Sequence, residues 1–391
     1  MAIRLEEVRE KAARAITPLK PADRNITASE HLLFSTKRIN TGIQLPEPYL
    51  VYFLLADLLE FWDMGRWEKQ AYAFPVDFNG TVYLIEHRKF GLGVFAADQE
   101  RQQDDATEIV RLVRNGVTAA QPFFEHLANE AAQGSNLSVA NYSRTLFEKF
   151  EYLRRLYLNK SSEVEMRQGE CTMEETKDES KGITTTKIRF PSLELDREAR
   201  WLGTSAVDAF FSWTEHVFIH IAILNGVCST GEEVGRLARA NWGEKFKAAL
   251  PIDDHETKKL YDELITIRRR LRNHVAHGAF GKDGEAFSFH STAGAVPLIL
   301  PHTQNSDSFR FGSGADLNPK QAFDSITHFE SHIWSAKRAG IKLYIQDLGL
   351  PAILTMAADG TYEGVRETVE DMVEFTEHLM REMDNAANMD W

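Results

Sequence analysis

The sequence predicts a mainly α chain, with a C-terminal helical bundle and a smaller N-terminal α+β domain that holds a short antiparallel meander. Three observations carry this expectation. Apolar residues recur at three- and four-residue intervals through most of the second half. A stretch of two-residue alternation at 72–95 interrupts that pattern in the first half. A polar, charge-rich stretch at 161–182 separates the two regions. A chain of 391 residues has room for two or three domains.

Taken in order, residues 5–16 have helical spacing and lead into a polar connection containing proline. Residues 48–61 return to that spacing. Two strands, 72–78 and 81–86, flank Asn79-Gly80, a dipeptide that accepts the positive φ angles of a tight hairpin turn. A third strand at 91–95 completes the meander. Helices are expected at 106–132 and 141–158, which makes 1–160 the N-terminal domain. Residues 161–195 read as a polar linker carrying one edge strand, 183–190, stopped by Pro191. The helical domain then occupies 196–391. Its long helices are expected at 196–225, 232–250, 255–277 and 319–348, with an insertion at 279–318 that holds short strands at 285–290 and 295–300. A final amphipathic helix at 363–383 presents Val365, Val369, Met372, Val373, Thr376 and Leu379 as a core or partner stripe.

Composition narrows the function. The hydrophobic fraction of 43% and charged fraction of 26% are those of an ordinary globular protein. The start, Met1-Ala2-Ile3-Arg4-Leu5-Glu6-Glu7, becomes charged too early for a secretory leader, so a cytoplasmic location is expected. The longest apolar stretch, 49–62, is broken by Asp57 and Glu60 and is too short to span a bilayer. A net charge of −13 argues against a nucleic-acid coat protein and against anionic membranes as partners. Cys171 and Cys228 match no metal or redox spacing and point to a reducing compartment, or at least to no dependence on disulfides.

Against that acidic background the segment 260–278 stands out. Leu260, Leu264, Ile267 and Leu271 form the buried stripe of a helix. Its last turns hold Arg268, Arg269, Arg270 and Arg272, then Asn273, His274 and His277, with Gly278 as a C-terminal stop. Cations there complement the negative end of the helix dipole, a stabilising role of roughly 0.3–1 kcal/mol each. Four arginines and two histidines within ten residues exceed that need.

Arg272-Asn273, three further residues, His277 and Gly278 resemble the Arg-x4–6-His signature of HEPN domains, which are four- or five-helix bundles. The resemblance spans about 196–350 in pattern. It implies a metal-independent, cofactor-free endoribonuclease in which a ribose 2′-hydroxyl attacks the adjacent phosphate and the 5′-oxygen leaves. Arg272 would grip the phosphate, His277 would move the proton, and Asn273 would orient either group. Arg268, Arg269, His274 and Glu215 would form the substrate-binding surround, with Glu215 or Asp208 as the acid beside the arginine. Positions 272 and 277 are about 140° apart around a straight helix. A homodimer in which two copies complete the site relieves this, and HEPN nucleases act as dimers. The family also implies a regulated defence or toxin effector, whose N-terminal domain binds a regulatory protein or ligand. The alternative is a non-catalytic HEPN-like dimerisation or ligand-binding module.

Weaker signals point elsewhere. His216 and His220 share a helix face at a zinc-compatible spacing, but no third ligand is near in sequence, and the pair is expected to pack or to lie across from the Arg272 site. Asp77, Glu86 and Lys89 resemble a metal-nuclease pattern with the wrong spacing, since Glu and Lys three apart on a strand face opposite ways. The 86–89 run is expected to be a solvated strand end or a ligand-contacting rim. Phe210, Phe211, Trp213 and Phe218 are expected in the core. No phosphate-binding glycine loop and no serine or cysteine nucleophile motif occurs.

Overall fold

The computed structural model describes residues 4–24, 36–40, 44–66, 70–178, 183–277, 283–292, 294–301, 310–311, 317–335 and 338–389, the helix end 273–277 by its backbone alone. The chain is mostly helical with small antiparallel sheets. It divides into two compact units, one from 1–134 with 376–391, the other from 135–375.

The first unit begins with α1 (Leu5–Ile16), β1 (Lys20–Pro21) and β2 (Lys37–Arg38). Next come α2 (Pro48–Tyr52), which widens into a π-helical turn at Phe53–Leu58, and the meander β3 (Gln70–Phe78), β4 (Thr81–Arg88) and β5 (Gly91–Ala96). The helices α3 (Gln103–Ala119) and α4 (Gln121–Gln133) follow. The five strands form one antiparallel sheet in the order β1-β3-β4-β5-β2. The hairpin turns at Asn79 and Gly80, with φ of 54° and 87°, and Asp77 Oδ1 accepts the Gly80 N–H at 2.7 Å. Phe74, Val76, Ile85 and Val94 pack with Leu54, Ile109 and Val113 in the core. Gly116 lets α3 approach closely, since a Cβ there would lie 2.5 Å from Ile16 and 2.9 Å from Leu54. The helical stretch expected at 106–132 is two helices, because Ala120 ends one and Pro122 fits the first turn of the next.

In the second unit, β6 (Ser138–Val139) leads into α5 (Ser143–Met166), then β7 (Thr172–Asp178), β8 (Ile183–Arg189) and the 34-residue α6 (Pro191–Leu224). This moves the expected domain boundary and replaces the linker. The charged residues near 160 belong to α5, where Lys160 pairs with Glu163 and Glu198, and the polar run after it is a hairpin of β7 and β8. Pro191 opens α6 rather than merely ending a strand, because a missing N–H costs nothing in a first turn. Packing then sets the boundary: Phe147 meets Trp213, Phe150 meets Phe210, and Tyr157 lies against Gly203, so α5 runs antiparallel along α6.

Two short helices, α7 (Gly231–Arg239) and α8 (Trp242–Ala249), start with capping boxes at Thr230/Glu233 and Asn241/Glu244. The second box interrupts the single helix expected at 232–250. Then come α9 (His255–His277), the insertion strands β9 (Asp283–Ser291), β10 (Gly294–Pro301) and β11 (Arg310–Phe311), and α10 (Pro319–Ile333). The helix expected at 319–348 stops at Ile333 and resumes as α11 (Ala339–Lys342), with a π-helical turn at Leu343–Asp347. The chain ends with β12 (Ala352–Ile353), α12 (Leu354–Ala358), α13 (Thr361–Val365) and α14 (Val369–Met389). The last helix was expected as one piece from 363.

The bundle of α5, α6, α9 and α10 surrounds an aromatic core. Phe210, Trp213, Phe218, Trp242, Phe246 and Phe329 are fully buried and meet at tilted or edge angles. By length and composition α6 is apolar enough to cross a bilayer, and most of its apolar stretch is buried within the protein.

Candidate functional site

The C-terminal half of α9 passes α6 with a cleft of about 470 Å³ between them. Asp208, Phe211, Ser212 and Glu215 line it from α6, and Arg268, Leu271 and Arg272 from α9. Each set follows from helical spacing, because residues three, four and seven apart share a face. The floor is rigid. Phe211 is buried against Trp242 at 5.4 Å, the Trp242 Nε1–H donates to Thr214 Oγ1 at 3.0 Å, and the Thr214 hydroxyl donates to the Phe211 carbonyl.

Glu215 organises the charges. Its Oε2 accepts from Lys245 Nζ and its Oε1 from Arg268 Nη2, both at 2.7 Å. Lys245, on α8, is 6% exposed, so the carboxylate supplies the partner that a buried ammonium requires. The Arg268 guanidinium also sits 5.9 Å from the Phe211 ring. Arg268 and Glu215, both expected to touch substrate, therefore hold each other and brace the wall. Arg272 is exposed at the mouth and has no ion pair among the described residues. Asp208 lies across from it on α6.

Other expected residues fall differently. Arg269 is exposed and does not line the cleft. The backbone of α9 stays helical through Asn273, His274 and His277, whose side chains lie outside the described residues. Lys245 was not anticipated: a lysine in a short amphipathic helix reads as solvated, and only the packing of α8 on α6 buries it.

A larger groove, about 570 Å³, lies between α9 and α10. Its wall charges are largely matched along α9, Lys258 with Asp262 at 3.5 Å and Lys259 with Glu263 at 4.0 Å. Arg270 also lines this groove and has no ion pair among the described residues, but it is only partly exposed. The smaller cleft is the better candidate site, because its unpaired arginine, Arg272, is open to a ligand.

His216 and His220 pack together with ring centroids 4.3 Å apart. The Tyr142 N–H donates to His216 Nε2 at 2.9 Å, and His220 Nδ1 lies 3.0 Å from the His216 carbonyl. Burial lowers both from the ordinary histidine range, His216 to about 4, so the pair is neutral at pH 7. Their role is packing, with one ring nitrogen committed to the backbone of the segment entering α5. In the first unit Glu86 departs from the expected solvated strand end, while Lys89 at the close of the run is exposed. Glu86 is completely buried between Ala73 and Gly93 on the neighbouring strands, and Arg88 Nε donates to its Oε1 at 2.6 Å. Asp77, at the other end of the hairpin, serves the turn and pairs with Lys20.

Comparison with models of known families, with curated proteins and with solved structures finds no match for this chain.

Proposed function

We propose that the protein is a metal-independent endoribonuclease of the HEPN type, with its centre at Arg272 and His277 on the last turns of α9. The unmatched Arg272 guanidinium at the mouth of the α6–α9 cleft carries this reading. In a chain of net charge −13, an exposed arginine that makes no ion pair among the described residues, beside a braced wall, suits a phosphodiester. Arg272 grips the two non-bridging oxygens and stabilises the charge that grows on them in the transition state. His277 takes the proton from the 2′-hydroxyl, whose oxygen bonds to phosphorus. The P–O5′ bond breaks and the 5′-oxygen is protonated as it leaves. Asn273 orients the imidazole or the phosphate. Positions 272 and 277 diverge around α9, so a second copy completes each site and the active form is a homodimer. Regulation as a defence or toxin effector falls to the first unit.

The test is transfer RNA incubated with the purified protein in EDTA, beside an Arg272→Ala/His277→Ala form. Cleavage by the parent, and at least a thousandfold less by the double variant, is the expected result, on the scale of losing a charge-stabilising donor and a proton-transfer group together. Equal cleavage by both, or activity that EDTA abolishes, defeats the reading. Full activity in a monomer defeats the dimer.

A further inference from the structure

The face of α6 that lines the cleft does not stop there. Counting about 100° per residue, Leu193, Arg197, Trp201, Asp208, Ser212 and Glu215 fall within about 100° of the helix circumference. The last three line the cleft. The first three, with the exposed carboxylate Glu194 at the edge of the same arc, continue this face toward the N-terminus of α6 and are exposed, Leu193 at 67% and Trp201 at 61%. A tryptophan that open to water costs free energy unless a partner covers it. Trp201 also carries a charge on its ring: the Arg197 guanidinium lies 5.5 Å from the ring centroid, and no carboxylate among the described residues pairs with it. Its neighbour Arg200 is different, since Asp196 holds it at 2.9 Å.

We infer that this face is a track for single-stranded RNA, with Trp201 stacking a base and Arg197 holding the adjoining phosphate, and that it feeds the strand toward Arg272. This rests on the ribonuclease reading above and adds a subsite to it. The spacing suits the ligand. Trp201 and Asp208 are seven residues apart, about 10 Å along the helix at ~1.5 Å per residue. That is the length of about three stacked nucleotides at ~3.4 Å each. An aromatic platform beside a cation is how proteins hold single strands without reading their sequence. Asp208, between the two cationic ends, accepts from base amino or ribose hydroxyl groups and turns the phosphates toward α9. A second protein chain fits the face less well. The exposed apolar groups of the face, Phe190 at the start of α6 with Leu193 and Trp201, offer less than the roughly 800 Å² per partner of a stable interface.

The experiment uses the full chain and a short single-stranded 2′-O-methyl oligoribonucleotide, which lacks the attacking hydroxyl, so binding is read without cleavage. Trp201→Ala weakens binding roughly five- to hundredfold, Trp201→Phe stays within about threefold of the parent, and Arg197→Ala weakens binding and flattens its salt dependence. Cleavage by the parent is measured in parallel on the unmodified strand. A parent that cleaves, together with a Trp201→Ala form that binds as the parent does, ends the track and leaves the nuclease. A parent that neither cleaves nor binds ends both. If Trp201→Ala changes the sedimentation coefficient and leaves RNA affinity untouched, the face serves self-association and the RNA track is wrong. Trp201 is exposed, so its removal leaves the fold intact, and thermal unfolding of each variant checks this.

Discussion

Glu86, in the sheet of the first unit, has Arg88 on one carboxylate oxygen and no hydrogen-bond partner among the described residues on the other. Glu215, on α6 of the second unit, has a cation on each oxygen. Burial pushes the Glu86 carboxyl above its ordinary range, and Arg88 only partly opposes this. A buried acid with half its hydrogen-bonding capacity unused is a local cost held in place by the sheet around it. An acid between two cations is a joint: it fixes α8 and α9 to α6, and so sets the cleft. The difference is one of function within the fold: Glu86 is sealed in its sheet, whereas Glu215 ties three helices together beside the cleft that Arg272 lines.

Removing the joint has the largest expected effect. Glu215→Ala leaves Lys245 buried without a counter-charge and costs about 3 kcal/mol, which a urea titration measures. A loss under about 1 kcal/mol would mean that α8 repacks and that Glu215 does not organise the cleft.

Acid sharpens the comparison, because the two units carry groups of opposite sign. His216 protonates near 6.5 in the unfolded chain and near 4 in the folded one, so the unfolded state takes the proton first. Its contribution is complete above about pH 6.5 and falls as the pH drops toward 4, by about 2 kcal/mol at pH 5. Glu86 runs the other way. Its raised carboxyl binds a proton in the folded state first, so it favours folding as the pH falls through that raised range. Thermal unfolding at pH 7 and pH 5 should show a smaller acid loss in His216→Gln than in the parent and a larger one in Glu86→Gln. Equal losses in all three would remove the contrast.

The smallest effect is at neutral pH. Glu86→Gln keeps an acceptor for Arg88 and removes a buried charge, so stability stays level or rises by up to about 1 kcal/mol. A loss above 2 kcal/mol would show that Arg88 depends on the charge.

Much of the secondary structure was legible in the residues. The bounds of α1 and α9, the Asn79-Gly80 hairpin and the paired insertion strands follow from periodicity and turn chemistry, which act within a few residues. So did the core placement of Phe210, Phe211, Trp213 and Phe218. Breaks at Ala120, Ala240 and Ile333 were missed, because the apolar spacing on both sides keeps its period while the chain turns. Around the candidate site, the basic run on α9 was evident, and Asp208 and Glu215 were plausible acids on α6.

By itself the sequence determined most of the segments that become helix or strand, and where the most basic patch of an acidic chain lies, since both are properties of neighbours along the backbone. Only the tertiary structure decided that α5 belongs with the bundle, that Glu86 is buried, and that Glu215 takes Lys245 and Arg268 while leaving Arg272 unmatched. The helix contacts join residues 30 to 66 positions apart, and the burial of Glu86 is a property of what packs around it.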